Sequence, residues 1–215
     1  MIRRTLSLIV APCIVVAGIA PAMGHPHVFP EARLEVVVNP HKTVQQLRHV
    51  WRFDDLFSST VLVEFDANAD LKLDAGELDQ VAETVTASLA EFNYFQNVEA
   101  DGKTVEMSAP TDLRADFADN QLLIFFTSSP KQPLPVAANP SFGVFDPTFY
   151  TAIEFADDDQ MVLVDAPSSC SKSVFTPDPD EALAQNQATL TEAFFEDPDG
   201  NNLAKIFATR MNVKC

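Results

Sequence analysis

Glycine is scarce, with six in 215 residues, which leaves no glycine-rich loop to cradle a phosphate. Basic residues are few as well. Fourteen Lys+Arg stand against 31 Asp+Glu, a formal net charge of −17 at pH 7. Such a surface repels phosphates, which argues against nucleic acid or an anionic membrane as the main partner and favours cations. The chain has no GxSxG and no HExxH, so a nucleophile elbow and a zinc-protease helix are absent, and an enzyme is not expected. Cysteine is limited to three, with no CxxC pair. Wholesale disorder is excluded by 47% hydrophobic residues, and the length suits one domain or a compact pair. What the chain does have is 17 Phe and 15 Pro, the composition of short strands and turns around an aromatic core.

Residues 1–24 read as a cleaved secretory signal peptide. Arg3 and Arg4 form the positive start, Leu6 to Ala20 the apolar stretch, and Ala22 and Gly24 the small residues before a cut at His25. The apolar run is too short to span a bilayer, so no stable membrane insertion is expected after cleavage. A retained anchor is the competing reading. The expected location is a bacterial periplasm. Cleavage removes Cys13 and leaves Cys170 and Cys215, an even pair that an oxidising compartment favours as a disulfide. A thiolate metal site or redox pair competes with it.

The fold class expected is α+β, an antiparallel β-rich protein with an EF-hand-like helix-loop-helix inserted after the first hairpin. Alternating apolar positions over Ala32–Val38 and Val44–Phe53, joined by Asn39-Pro40-His41-Lys42, predict that hairpin. Asp54 or Asp55 caps a helix through Phe57, Val61 and Val63 to about Phe65, and a second helix runs from about Ala75 to Phe95. Beyond Pro110 the pattern returns to strands, including Thr151–Phe155, with a hairpin tip at Asp157-Asp158-Asp159. A helix from Pro179 to about Phe195 and a short one near Leu203–Ala208 follow. The division expected is residues 25–109, holding the hairpin and helix pair, and 110–215, the strand-rich half with terminal helices.

Residues 66–77 read D-A-N-A-D-L-K-L-D-A-G-E. Oxygen-bearing side chains fall at positions 1, 3, 5, 9 and 12 of a twelve-residue EF-hand loop: Asp66, Asn68, Asp70, Asp74 and Glu77. Lys72 holds position 7, where only the backbone carbonyl is needed. Alternating donors wrap a hard cation, and Glu77 can close the shell with both oxygens. Leu71 stands at position 6, where glycine normally permits a positive φ. Two readings stand: a Ca2+ loop, structural rather than switching because it is single, or an acidic turn that holds no metal.

Signal cleavage would expose His25-Pro26-His27. A terminal amine and two imidazoles suit Zn2+, Ni2+, Co2+ or Cu2+, although Pro26 lacks the amide N–H that a square-planar amino-terminal site requires. Two histidines need further ligands, for which His49 and Asp146 are the candidates. The competing reading is a strand lead-in whose imidazoles pack locally.

His25-Pro-His27, R-H-x-W-x-F-D-x-x-F-S over Arg48–Ser58, the acidic loop, S-L-A-E-F-N-Y-F over Ser88–Phe95 and F-D-P-T-F over Phe145–Phe149 occur in that order. Together they resemble domain-of-unknown-function family 1007 across about 25–215. That resemblance implies a periplasmic accessory of a divalent transition-metal transport system, with an inner-membrane nickel/cobalt permease as partner. It also implies metal roles for His25 and His27 and for Asp66, Asn68, Asp70, Asp74 and Glu77. Two other readings remain: a calcium-stabilised structural or protein-docking module with no transition-metal role, and, with least support, a hydrolase.

Overall fold

Asn39 begins the first turn of the chain by local hydrogen bonding. Its Oδ1 accepts from the backbone N–H groups of His41 (2.9 Å) and Thr43 (3.0 Å), and Lys42 takes φ 59°. The turn joins β1 (Glu31–Val38) to β2 (Thr43–Arg52) in antiparallel register from Glu31↔Arg52 to Val37↔Gln46, with an irregularity at Val37/Val38. The hairpin forms as its alternation predicts.

The computed structural model describes residues 26–187 and 203–215; the signal segment, His25 and the far end of the helix expected to reach Phe195 lie outside them. The described residues form an α+β fold of three α-helices and 11 strands in two mostly antiparallel sheets. The helices are α1 (Asp55–Phe65), α2 (Ala75–Leu89) and α3 (Pro179–Asn186). The remaining strands are β3 (Gln96–Ala100), β4 (Lys103–Thr104), β5 (Arg114–Ala118), β6 (Gln121–Ser128), β7 (Leu134–Pro135), β8 (Ser141–Val144), β9 (Met161–Val164), β10 (Ser171–Phe175) and β11 (Arg210–Lys214). One sheet runs β5-β6-β2-β1-β9 with β7 on the start of β2; the other runs β10-β11-β8-β3-β4. Each sheet therefore takes strands from both sides of residue 110. Among the described residues no helix is long and apolar enough to cross a membrane.

Five local expectations need correction. Strands are not antiparallel throughout: β9 runs parallel to β1, from Leu34↔Met161 to Val37↔Val164. The chain reaches β9 through 151–154, which already runs beside 28–31 in the same direction through single bridges, Val28↔Thr151 and Glu31↔Glu154, instead of the strand expected there. The second helix stops being α-helical at Leu89. A 3-10 segment, Ala90–Phe95, follows, with Asn93, Tyr94 and Phe95 at φ 51°, 54° and 57°. Tyr94, Phe95 and Gln96 are consecutive buried residues, and a helix cannot turn three neighbours inward, so the chain bends left-handed to do it. Asp158–Gln160 is a capped 3-10 turn, not a hairpin tip. The expected last helix is a 3-10 turn, Leu203–Ile206, and beyond it Met211 and Val213 alternate inward along β11.

The helix pair is placed by its caps and by one buried serine. Asp54 is the cap of α1, its Oδ1 accepting from Phe57 N at 2.9 Å. Ser58, fully buried, accepts from Leu122 N at 2.9 Å and so holds α1 on β6. Val63 faces solvent at 78% exposure, outside the apolar row where periodicity put it. Asp74 and Glu77 form a reciprocal capping box at the start of α2. A single core joins both sheets with α1 and α2, with Trp51, Phe142, Leu34, Ile124 and Met211 among its fully buried members.

Candidate functional site

The chain between α1 and α2 adopts a calcium-loop backbone at the residue that departs from the pattern. Leu71 has φ 63°, the left-handed conformation that position 6 demands, with its side chain 75% exposed. Its N–H donates to Asp66 Oδ2 at 2.8 Å, while Asp66 Oδ1 accepts from Asp70 N at 3.1 Å. Asn68 Oδ1 accepts from Asp70 N (2.8 Å) and Asp70 Oδ1 from Lys72 N (3.0 Å). Asp74 Oδ1 takes Gly76 N and Glu77 N. Glu77 is buried at 5% exposure, and its two oxygens accept from Ala67 N and Asp74 N, both at 2.9 Å, tying the loop's first residues to its last. Leu73 packs against the core beneath the loop.

The donor types and the backbone suit a hard cation. The side chains are held by loop amides, and among the described residues no three His, Cys, Asp or Glu are gathered closely enough to hold a metal ion. Leu71 meets the left-handed requirement at a cost of about 1 kcal/mol. Replacing it with glycine removes that strain and gives up little burial. Leu71→Gly is therefore expected to raise unfolding stability by at most about 0.5 kcal/mol, measured in urea, because the added freedom of the unfolded chain, about 0.4–1 kcal/mol, offsets most of the relief.

His27 and Asp146 meet at one loop, and His49 sits apart from it. The His27 N–H donates to the Tyr150 carbonyl at 2.8 Å, and its ring lies 5.1 Å from the Tyr150 ring. Asp146 is buried at 4% exposure and folds the 146–151 turn around itself. Its Oδ1 accepts from Thr148 N (2.8 Å) and Thr148 Oγ1 (2.7 Å), and its Oδ2 from Thr151 N (2.9 Å). His49 is a core residue at 1% exposure, stacked on Phe126 at 4.2 Å with Trp51 edge-on at 6.4 Å. Neither ring nitrogen has a hydrogen-bond partner. Burial pushes its pKa down to about 3, outweighing the opposing influence of Gln96, so the imidazole is neutral. The set His27, His49 and Asp146 is not gathered as a metal site.

Cys170 and Cys215 are joined in a disulfide, as the even count predicts, at the end of the β10–β11 pair next to Ser171↔Lys214.

A cavity of about 510 Å³ lies where α1 and α2 cross the first sheet, and the sequence reading did not foresee it. Phe57, Val61 and Phe65 of α1 and Val81, Val85 and Leu89 of α2 form its walls. Trp51, Phe53, Leu122, Asp146, Thr148 and Tyr150 line it as well. These helix rows are visible as periodicity, but a row that packs and a row that lines a cavity look alike in sequence.

A two-sheet α+β protein with an EF-hand-like loop, a pinned carboxyl-terminal strand and an apolar cavity is thus defined. The chain belongs to the family described as protein of unknown function (DUF1007), whose model matches residues 10–215. No curated protein matches it.

Proposed function

We propose that this is an exported periplasmic binding module in which the 66–77 loop takes calcium and thereby fixes α1 against α2. The observation that carries this reading is Leu71 at φ 63° with its N–H on Asp66, the turn a calcium loop needs, built at a residue that resists it. Asp66, Asn68, Asp70, the Lys72 carbonyl, Asp74 and Glu77 are the ligands. Bound calcium would supply positive charge between the end of one helix and the start of the next, offsetting carboxylate repulsion in a chain of net charge −17. Both helices wall the apolar cavity, so the loop governs its width. Binding, not catalysis, is the activity proposed.

The test is thermal unfolding with chelator and with millimolar calcium. At a calcium concentration one hundred times Kd, stabilisation of about 2.7 kcal/mol is expected, and Glu77→Gln should remove most of it. A wild-type melting temperature indifferent to calcium contradicts the reading.

A second reading rests on the anchoring of His27 to Tyr150, on the same turn as Asp146. In it the processed amino terminus binds Zn2+, Ni2+, Co2+ or Cu2+ through His25 and His27 and serves a divalent-metal permease of the inner membrane. Calorimetry on chain beginning at His25 should show tighter binding than on the double variant His25→Ala/His27→Ala, with affinity falling on acidification as the imidazoles protonate. Equal affinities remove this reading.

A further inference from the structure

We propose that the cavity between α1, α2 and the first sheet binds an apolar organic cation, with Asp146 as its counter-charge. Three observations converge on that class of ligand. The volume, about 510 Å³, is that of a small-molecule pocket, and the lining is overwhelmingly hydrocarbon and aromatic. Among the described residues its only charged lining residues are Glu64 and Asp146, and no Lys, Arg or His lines it. Asp146 is 4% exposed and makes no ion pair among the described residues, its charge being held by three neutral donors alone. A buried carboxylate lining an apolar chamber repels fatty acids and other anions. It attracts an ammonium group, which charge-assisted hydrogen bonding or direct Coulomb contact would hold in low dielectric.

The aromatic lining suits the same ligand. Trp51 and Phe95 are stacked with ring centres 6.0 Å apart, and Phe53 and Phe57 at 5.0 Å, so several ring faces and edges surround the chamber. Aromatic faces attract a cation through the ring quadrupole, and hydrocarbon chains pack on them as well. Trp51 is 2% exposed and lines the cavity.

Trp51 is the only tryptophan in the chain, so its emission reports on the cavity without a label. The experiment titrates the purified chain with decyltrimethylammonium, decanol and decanoate, each below its micelle concentration, and follows Trp51 emission and calorimetric heat. Decyltrimethylammonium should saturate and bind at least tenfold more tightly than decanol, with decanoate the weakest. Asp146→Asn should cost the cation tenfold or more and leave decanol unchanged. That variant disturbs the 146–151 turn, so Val85→Phe is the companion: it fills the chamber from α2 and should weaken the cation and decanol together. Equal affinity for cation and alcohol in the wild type, or preference for decanoate, overturns the charge assignment. Cation binding that survives Val85→Phe is adsorption to the acidic surface and overturns the site. No saturable change with any of the three probes overturns it too.

Discussion

Unfolding in denaturant is expected to show a loss of about 4 kcal/mol when Cys170 and Cys215 are both replaced by serine, the chain-entropy value for closing a loop of this size. The sequence separation is 45, and the bond ties the last strand to the start of β10. Without it the unfolded chain regains that loop's freedom. The native state keeps the five paired residues of β10 and β11, the three that join β11 to β8, and the core packing of Met211 and Val213 to hold the edge in place. The strand ladders of the other sheet should stay intact, because β10 and β11 pair only within the second. Under non-reducing, denaturing conditions neither Cys170 nor Cys215 should react with a thiol reagent. A double variant within about 1 kcal/mol of the wild type, or two reactive thiols at these positions, contradicts the prediction.

His49 gives the second large effect, and it depends on pH. Its folded pKa of about 3 lies below the ordinary histidine value of 6.5, so between those values the unfolded chain binds a proton that the folded chain refuses. Stability therefore falls as pH drops below 6.5, by about 2 kcal/mol at pH 5, and no contribution is lost above neutrality. His49→Leu removes the titrating group together with two buried nitrogens that have no partner. Urea unfolding at pH 7.5 and pH 5 should show the wild type losing about 2 kcal/mol more than the variant over that interval. Parallel pH dependence of the two proteins would mean that His49 takes up its proton in the folded state.

How much of this was legible in the sequence follows from how local each signal is. The first hairpin was readable because Asn39 builds its turn from its own side chain, and the alternation of β1 and β2 needs no partner to be seen. The 66–77 loop was readable for the same reason: the spacing of its oxygen-bearing side chains and its caps, Asp74 and Glu77, lie within twelve residues. The left-handed turn at Asn93–Phe95 was not, since Leu89 and Phe92 continue the helical period and only the sheets, folded elsewhere, require Tyr94 and Phe95 to point inward together. The parallel β1–β9 pair and β11 depend on contacts far apart in sequence, which short apolar alternations such as Met211 and Val213 do not announce. Among the site residues, His49 shows the limit most clearly. In sequence an imidazole is simply a candidate further ligand for His25 and His27, and only the register His49↔Phe126 reveals a core position.

Calcium binding itself is the most direct measurement. Calorimetric titration of calcium into chelator-treated chain should give a saturable isotherm with one ion per molecule, strengthened in Leu71→Gly, whose turn carries no strain, and lost in Glu77→Gln. Absence of calcium heat in both the wild type and Leu71→Gly would mean that the 66–77 loop is held by its own amides alone and takes no metal.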